Sequence, residues 1–187
     1  MNVVLVAPEI PPNCGNVARL CVSVGARLHL VEPLGFELSD RYLKRAGLDY
    51  WEHLDLTVHA SFAALLEQKG AAPMYLATSR ATRPYTGVTY GADDWLVFGN
   101  ETGGLPQELV EKFVDHTLCI PMWGPSRCLN LSNAVAVVVF EALRQLRPGA
   151  FYPGTGGLPP QGVPGAADAD AGAAASTGVP STSGPMR

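Results

Sequence analysis

The sequence predicts one α/β domain built around a mainly parallel sheet flanked by helices. Short apolar runs alternate with helix-like segments along residues 1–147, and the connections between them are short. Loops rich in Gly, Pro and Asn follow several of the predicted strands. Hydrophobic residues make up 47% of the 187 residues and charged residues 16%, so the chain can bury a sizeable core. No apolar run reaches the length that crosses a bilayer, and we expect no membrane contact.

Each element has a local justification. In chain order we predict a strand at 2–7, a helix at 15–24, a strand at 27–31, a short helix after Ser39, a helix after Ser61, strands at 74–78 and 95–99, a helix at 107–113 and a strand at 117–121. The strands are apolar runs bounded by turn residues. Gly25 and Gly70 suit helix ends, whereas serines suit N-caps. Pro106 suits the first turn of a helix.

The segment NAVAVVVFEALRQL, at 133–146, admits two interpretations. Its Val-rich run is typical of a buried strand. However, the preceding NLSN offers N-caps, and EALRQL consists of helix formers up to Pro148. The length also favours a helix, which we predict. Because this helix is apolar on nearly every face from 134 to 140, we expect it to be central or packed against another subunit.

The composition of the chain changes at Pro148. From there onwards Gly, Pro and Ala predominate and few residues are charged, so the segment cannot bury enough apolar surface to offset its ordering entropy. We therefore predict a folded domain over 1–147 and a disordered tail over 148–187.

Charge and cysteine usage exclude several classes of function. The net charge of −4 argues against non-specific nucleic-acid binding, so an RNA partner requires a local arginine cluster. The four cysteines show neither a CxxC pair nor zinc-ligand spacing, and we expect free thiols in a reducing cytoplasm and no metal. The N-terminus lacks a basic n-region, so VVLVA is interpreted as a strand and not as a secretion signal.

Ligands of parallel sheets collect at the carboxyl ends of the strands. The candidate loops there are 8–16, 78–84, 99–106 and 121–133. The loop GNETGGLP matches neither the P-loop nor the dinucleotide pattern, and Glu101 would repel a phosphate. A neutral or cationic ligand held by backbone groups fits better, although a tight turn in which Glu101 caps the next helix explains the loop equally well.

Two arginines are candidates for binding an anion. Arg127 lies in the loop PSRCLNLSN, and its guanidinium suits phosphate. Arg19 follows Asn13 and Asn16 at spacings of six and three residues, which suggests one helix face beside a substrate anion; a solvated surface arginine is the alternative. No nucleophile elbow accompanies the scattered histidines, so hydrolase chemistry is unsupported. Trp123, in a candidate ligand loop, belongs either to the core or to a base-stacking site.

Four stretches together resemble a known family: APEIPPNCGNVARLCVSVGARLHLVEPLGF, RAGLDYWEHL, FGNETGGLP and IPMWGPSRCLNLSNAVAVVVFEALRQL. They are similar to the SPOUT-class RNA ribose methyltransferases, and most similar to the TrmL branch, which methylates the 2′-hydroxyl of the wobble nucleotide of tRNA. The resemblance covers residues 2–147. It implies tRNA as substrate, S-adenosylmethionine (AdoMet) bound in a deep trefoil knot formed by the last three loops, and a homodimer through helix 133–146.

The resemblance also implies the residues of the site. Contacts to AdoMet, mostly through backbone atoms, fall on Ala77, Gly99, Ile120 and Cys128. Residues in the same loops that shape the AdoMet site are Glu101, Leu129, Asn130 and Ser132. Asn16 and Arg19 match the family's first motif and are the expected catalytic residues, with Arg19 beside the target nucleotide. Arg127 is a second candidate substrate contact.

Three positions depart from the wobble branch. Asn100 replaces a proline, Gly103 replaces an arginine, and Cys128 replaces a serine. These departures leave open a 2′-O-methyltransferase for another tRNA or rRNA position. The net negative charge leaves open a second alternative, a non-catalytic RNA-binding module with the same fold.

Overall fold

The computed structural model describes residues 1–38 and 51–147, which form a six-stranded sheet. Its strands are β1 (Asn2–Val6), β2 (Arg27–Val31), β3 (Leu56–His59), β4 (Met74–Ala77), β5 (Trp95–Phe98) and β6 (Thr117–Leu118). The strand order is β3-β2-β1-β5-β4-β6, and every pairing is parallel. The helices are α1 (Pro11–Val24), α2 (Phe62–Lys69), α3 (Gln107–Lys112) and α4 (Leu131–Leu146). The predicted fold class is confirmed.

The two faces of the sheet bury separate apolar layers. On one face, side chains such as Val3 and Leu5 of β1 pack with α1 and α4. On the opposite face, Val4 and Val6 pack with Leu65 of α2 and with residues of α3. Because β1 is buried on both faces, its continuous apolar run is typical of a central parallel strand. Full burial of one such apolar side chain stabilises the folded state by roughly 1.5–3 kcal/mol.

Helix α1 begins four residues before its predicted start at Gly15. Pro11 and Pro12 occupy its first turn, where a proline loses no helical hydrogen bond. The predicted loop 8–16 is therefore largely helical, and the sequence prediction was wrong there. Gly25 ends the helix as predicted, with a left-handed φ of 69° and an N–H that bonds to the carbonyls of Cys21 and Val22.

The edges of the sheet differ from the prediction. Strand β3 was not predicted, because its sequence LTVH is short and only half buried, as expected for an edge strand. Strand β6 covers only Thr117–Leu118, although a strand was predicted to 121. The short helix predicted after Ser39 and the tail predicted over 148–187 lie outside the described residues.

Two predicted helices are confirmed. The Ser61 hydroxyl accepts a hydrogen bond of 3.2 Å from the Ala64 N–H at the start of α2. The long apolar segment is the helix α4, and Asn130 is its N-cap. Part of α4 packs against α1 within the same subunit, so that Val138 is fully buried while Phe140 is 47% exposed. Among the described residues, no helix is both long enough and apolar enough to cross a bilayer.

Candidate functional site

A cavity of about 690 Å³ lies at the carboxyl ends of β4, β5 and β6. The loops that follow these strands form its walls, together with the first turn of α1 and the start of α4. Its volume falls within the range of roughly 300–1,000 Å³ that small-molecule sites occupy. The predicted site residues that line it are Ala77, Gly99, Glu101, Ile120, Arg127, Cys128, Leu129 and Asn130. Ser132 does not line the cavity, but its hydroxyl donates to Oδ1 of Asn130 at 2.8 Å.

The glycine loop after β5 closes tightly on itself. The backbone N–H of Asn100 donates to the carbonyl of Gly104 at 3.3 Å, and the reverse hydrogen bond measures 3.1 Å. At Gly99, an added Cβ would lie 2.0 Å from the carbonyl carbon of Gly104, so no other residue fits. Gly104 itself has a φ of +70°, which glycine adopts without strain. The glycines at these two positions are therefore required by the loop's own closure.

Asn100 explains one departure from the wobble branch. Its side-chain Oδ1 accepts a hydrogen bond of 2.7 Å from the N–H of Gly103. This side-chain hydrogen bond stabilises the same turn as the two backbone hydrogen bonds between Asn100 and Gly104. A proline at position 100 would lack both this side-chain acceptor and the N–H donor.

Glu101 binds the start of a helix and does not project freely into the cavity. Its Oε2 accepts from the N–H of Glu9 at 2.9 Å, and its Oε1 accepts from the N–H of Ile10 at 3.3 Å. Ile10 is the N-cap of α1 and its side chain makes no capping hydrogen bond, so Glu101 supplies the missing acceptor. Glu101 therefore caps a helix, but this helix is α1 and not the following helix α3. The Glu101 charge also acts on a residue of this helix: burial, and secondly the Glu101 charge, raise the pKa of the Cys14 thiol to about 12.

Asn13 links the elements around the cavity. Its Nδ2 donates to Oε1 of Glu101 at 2.8 Å, and its Oδ1 accepts from Nδ2 of Asn130 at 3.0 Å. Asn130 in turn caps α4, since its Oδ1 accepts the N–H of Ser132 at 3.0 Å. Asn13 is 6% exposed, and its amide has well-defined partners on both sides. The hydrogen bonds of Asn13 therefore join α1, the glycine loop and the start of α4.

The structure separates Asn13 from the two predicted catalytic residues. Asn16 and Arg19 are exposed on α1 and do not line the cavity. In a helix, each step of three residues turns the side chain back by about 60°, so Arg19 points roughly 120° away from Asn13. The predicted common face for these three residues was wrong. Arg19 lies six residues, or roughly 9 Å along the axis, beyond the turn that borders the cavity.

Several lining residues were not predicted. Arg80 is the most informative of them, because it lies in the candidate loop 78–84 without having been singled out. Other missed residues come from the same loops or from the start of α1: Ile10, Asn13, Thr78, Ser79, Thr102 and Met122. The sequence signal for them was only that the loops follow strands. No cluster of three or more His, Cys, Asp or Glu suited to a metal ion occurs within residues 1–38 and 51–147.

A second polar cluster is formed by three buried side chains, one from each of the neighbouring strands β1, β2 and β3. Nδ1 of His29 lies 3.1 Å from Nε2 of His59, and Nε2 of His29 lies 3.3 Å from Oδ1 of Asn2. Since Nδ2 of Asn2 donates to the carbonyl of Asp93, its Oδ1 must accept from His29. His59 then donates to His29, and both rings carry their proton on Nε2. His29 therefore has a structural role that joins the three strands.

The comparison with known families decides the identity of the fold. The sequence pattern of the SpoU rRNA Methylase family matches residues 1–140, which is most of the chain. This chain belongs to the SpoU methylase family. The family consists of enzymes, and the trefoil knot implied by the resemblance is characteristic of its fold.

Individual SpoU-family relatives agree with this assignment. The chain is 52% identical over 147 residues to a Burkholderia cenocepacia protein named tRNA (cytidine(34)-2′-O)-methyltransferase, with 77% of this chain and 94% of the relative covered. It is also similar, at 49% identity and a TM-score of 0.75, to a structure solved for the 2′-OH methylation of C/U34 on tRNA, with 78% of this chain and 95% of that chain covered.

A third SpoU-family comparison bears on the cofactor. An rRNA methyltransferase from Sinorhizobium meliloti, solved with AdoMet bound, is 25% identical with a TM-score of 0.70. The match covers 78% of this chain and 56% of that chain. The cavity suits such a ligand because its walls are loop residues, among them the half-buried apolar side chains of Ile120 and Leu129. Among the residues that the structure describes, Glu101 supplies the one carboxylate that lines the cavity, and this carboxylate is already bound to the start of α1.

Proposed function

We propose that this SpoU-family enzyme transfers a methyl group from AdoMet to the ribose 2′-hydroxyl of nucleotide 34, a cytidine or modified uridine, of tRNA. The observation that carries the proposal is the cavity at the carboxyl ends of β4, β5 and β6. Its walls are the loops where the resemblance places the cofactor. The support from relatives comes from proteins of about half identical sequence that are named for this reaction.

AdoMet supplies an electrophilic methyl group on its sulfonium. The chain's own residues must then position this group, because an in-line displacement gains most of its rate from orientation. We assign the cofactor contacts to the backbone of Ala77, Gly99, Ile120 and Cys128. Further residues of the same loops shape the AdoMet site: Glu101, Leu129, Asn130 and Ser132. Glu101 and Asn130 fulfil this role indirectly, by fixing the glycine loop and the start of α4 against α1.

The 2′-hydroxyl is a weak nucleophile that must lose its proton as the new C–O bond forms. We assign Arg19 to this step, in which its guanidinium stabilises the developing charge on the 2′-oxygen or holds the adjacent phosphate. Because Arg19 lies outside the cavity of its own subunit, we infer that each RNA site is built from both chains of the dimer proposed below. Asn16 lies one turn earlier on the same exposed surface of α1. Arg127 lines the cavity and serves as a second contact for the substrate. An exposed arginine is accessible to a macromolecular substrate that approaches from solvent.

We further propose that the enzyme is a homodimer through α4. One face of this helix packs inside the subunit, and the other carries an outward stripe. Residues of this stripe, none of them fully buried, are Asn133, Val137, Phe140 and Arg144. Phe140 is 47% exposed and Val137 is only half-buried, so the stripe offers apolar surface to a second copy. The four free cysteines support a reducing compartment, which we take to be the cytoplasm.

The decisive experiment is methyl transfer from labelled AdoMet to purified tRNA, followed by mapping of the modified nucleotide. The matched control is the same tRNA with a 2′-deoxynucleotide at position 34, which removes the acceptor oxygen and nothing else. We expect transfer to the first tRNA and none to the control.

Three outcomes would replace the proposal. Equal transfer to both tRNAs would show that another position is methylated, and transfer to rRNA alone would move the target to the ribosome. Binding of tRNA without transfer to any RNA would identify a non-catalytic binding module.

A further inference from the structure

Trp123 is 92% exposed, in the loop between β6 and α4 that forms one wall of the cavity. Its neighbour Met122 is 37% exposed and lines the cavity. An aromatic side chain of this size buries roughly 150–250 Å² in a core. Trp95, which is 6% exposed, is buried in this way, whereas Trp123 is not. The two exposed side chains form an apolar surface at the rim of a ligand cavity. A surface of this kind is typical of a site that a binding partner covers.

The rim of this cavity is positive although the chain is acidic overall. The only charged residue in the loop at 119–130 is Arg127. The loop at 78–84 carries Arg80 and Arg83 and no carboxylate. The carboxylate of Glu101 also lines the cavity, but its oxygens are bound by the N–H groups of Glu9 and Ile10. With a net charge of −4 for the whole chain, the local excess of arginine favours a negatively charged partner.

Arg80 is held in place without being neutralised by its hydrogen-bond partner. Its Nη1 donates to Oε1 of Gln107 at 3.0 Å, and Gln107 donates from Nε2 to Glu111 at 2.7 Å. The contact is therefore to an oriented, neutral amide. The guanidinium keeps other N–H donors for a ligand at the cavity rim, where planar donors suit the oxygens of a phosphodiester.

We propose that Trp123 stacks on an unpaired base of the RNA substrate while Arg80 contacts its phosphate backbone. This inference rests on the proposed function, because it places the RNA over the cavity that holds the methyl donor. An aromatic ring next to arginines is the combination that binds single-stranded nucleic acid. Nucleotide 34 lies in the anticodon loop, whose unpaired bases are available for stacking. Stacking is tolerant of base identity, so Trp123 holds the loop without selecting one base.

The experiment measures the affinity of the full-length protein for an anticodon stem-loop RNA without AdoMet. Trp123→Ala should weaken binding on the order of tenfold, because the stacking of one base on the ring is lost. Trp123→Phe keeps a ring and should retain most of the affinity, whereas Trp123→Leu keeps only apolar surface and should bind like the alanine variant. Val114→Ala, at a site 61% exposed and outside the cavity lining, controls for loss of exposed apolar surface.

Arg80 has its own test in the salt dependence of the same binding. Removing one phosphate contact from single-stranded RNA should lower the slope of log Kd against log salt by about 0.7. We expect this change for Arg80→Gln and no change in slope for Trp123→Ala. An unchanged slope for Arg80→Gln would remove Arg80 from the RNA surface.

Three further results would overturn the stacking role. Trp123→Ala that binds the stem-loop like the wild type shows that no base lies on the ring. A loss of AdoMet affinity by calorimetry, with RNA affinity unchanged, assigns Trp123 to the cofactor. A change of oligomeric state by light scattering shows that a second copy covers it. If Trp123 governs RNA affinity but methylation maps elsewhere, the stacking role stands and the proposed target nucleotide fails.

Discussion

Asn13 donates a hydrogen bond of 2.8 Å from its Nδ2 to Oε1 of Glu101, across 88 residues of sequence. The carboxylate needs this donor together with the N–H groups of Glu9 and Ile10, because a partly buried charge is stable only when its oxygens are satisfied. The same asparagine also contacts Asn130. The pair therefore holds the glycine loop and α1 in the arrangement that shapes the cavity.

The first prediction concerns the strength of this pair. Asn13→Ala leaves one oxygen of Glu101 with fewer donors, and Glu101→Gln turns an acceptor into a donor that faces other N–H groups. Each variant should lower the free energy of unfolding by roughly 1–3 kcal/mol. The double variant should cost less than the sum of the two, with a coupling of about 0.5–3 kcal/mol in urea denaturation.

Thr102→Val is the matched control for this cycle. It removes the hydrogen bond from the Thr102 hydroxyl to Glu9 on the exposed side of the same loop. This variant should show little coupling to Asn13→Ala. Additive effects of Asn13→Ala and Glu101→Gln would mean that the two side chains do not act as a unit.

The second prediction separates two glycines of the same loop. Gly99→Ala places a Cβ 2.0 Å from the carbonyl carbon of Gly104, so the loop must open, and we expect loss of AdoMet binding and a stability loss of roughly 1–3 kcal/mol or more. At Gly103 an added Cβ meets only Oδ1 of Asn100 at 3.4 Å, so Gly103→Ala should fold and bind AdoMet normally. Calorimetry on both variants makes the comparison. Normal AdoMet binding by Gly99→Ala would show that loop closure is not needed.

Local patterns were sufficient for the central elements and for the cavity loops. Strand β1 and helix α2 follow from an apolar run and from a serine cap with a closing glycine, both of which act within a few residues. The glycine loop was located correctly, and only the alternative in which Glu101 caps the next helix was wrong. The partners of Glu101 are about 90 residues away, just before α1 and in its first turn, and no local pattern reports such a contact.

The start of α1 shows the same limit. Pro11 and Pro12 suggested a loop, because prolines end helices when they lie in the interior. The backbone donors before them, at Glu9 and Ile10, are satisfied by Glu101 from the glycine loop, and the helix can begin at Pro11. The edge strand β3 was missed for a related reason: its pairing with β2 defines it, and its own four residues do not.

The third prediction tests the assignment of Arg19 to catalysis. Arg19→Ala should lower single-turnover methyl transfer to tRNA about a hundredfold, the loss of roughly 3 kcal/mol of transition-state stabilisation. AdoMet affinity should stay unchanged, because Arg19 does not line the cavity. The control is Arg27→Ala, which removes an exposed arginine that pairs with Asp55 at 3.1 Å. Wild-type transfer by Arg19→Ala would move the catalytic role to another arginine, with Arg127 as the next candidate.

The fourth prediction distinguishes the dimer surface from the core of the subunit. Phe140→Glu introduces a charge on a side chain that is 47% exposed, so a protein that dimerises through α4 should become a folded monomer in light scattering. Val138 is 1% exposed within the subunit, so Val138→Glu should unfold the protein and does not test the dimer. Far-ultraviolet circular dichroism separates the two outcomes. A Phe140→Glu variant that remains a dimer would place the interface elsewhere.

The last prediction follows from the buried histidine pair. Burial, and secondly the neighbouring His59, lower the pKa of His29 to about 4, while Asp55 opposes and Arg27 reinforces this change. Burial also lowers the pKa of His59. In the unfolded chain a histidine has a pKa near 6.5, so below that pH the unfolded state binds protons that the folded state excludes. The stabilising effect of the neutral pair is therefore complete above about pH 6.5 and is lost as the pH falls from about 6.5 towards 4.

For His29 alone this loss is at most about 3 kcal/mol. Protonation would also break the contact in which Nδ1 of His29 accepts from His59, and β3 is held to the sheet partly by that contact. Urea denaturation at several pH values between 7.5 and 5 should show the free energy of unfolding falling with pH. His29→Gln should have a lower free energy of unfolding at pH 7.5 and lose less of it on acidification, because the glutamine side chain takes up no proton in this pH range. His116→Gln, at an exposed position, controls for removal of an imidazole elsewhere. If His29→Gln and the wild type lose stability in parallel, the acid sensitivity arises from groups other than this pair.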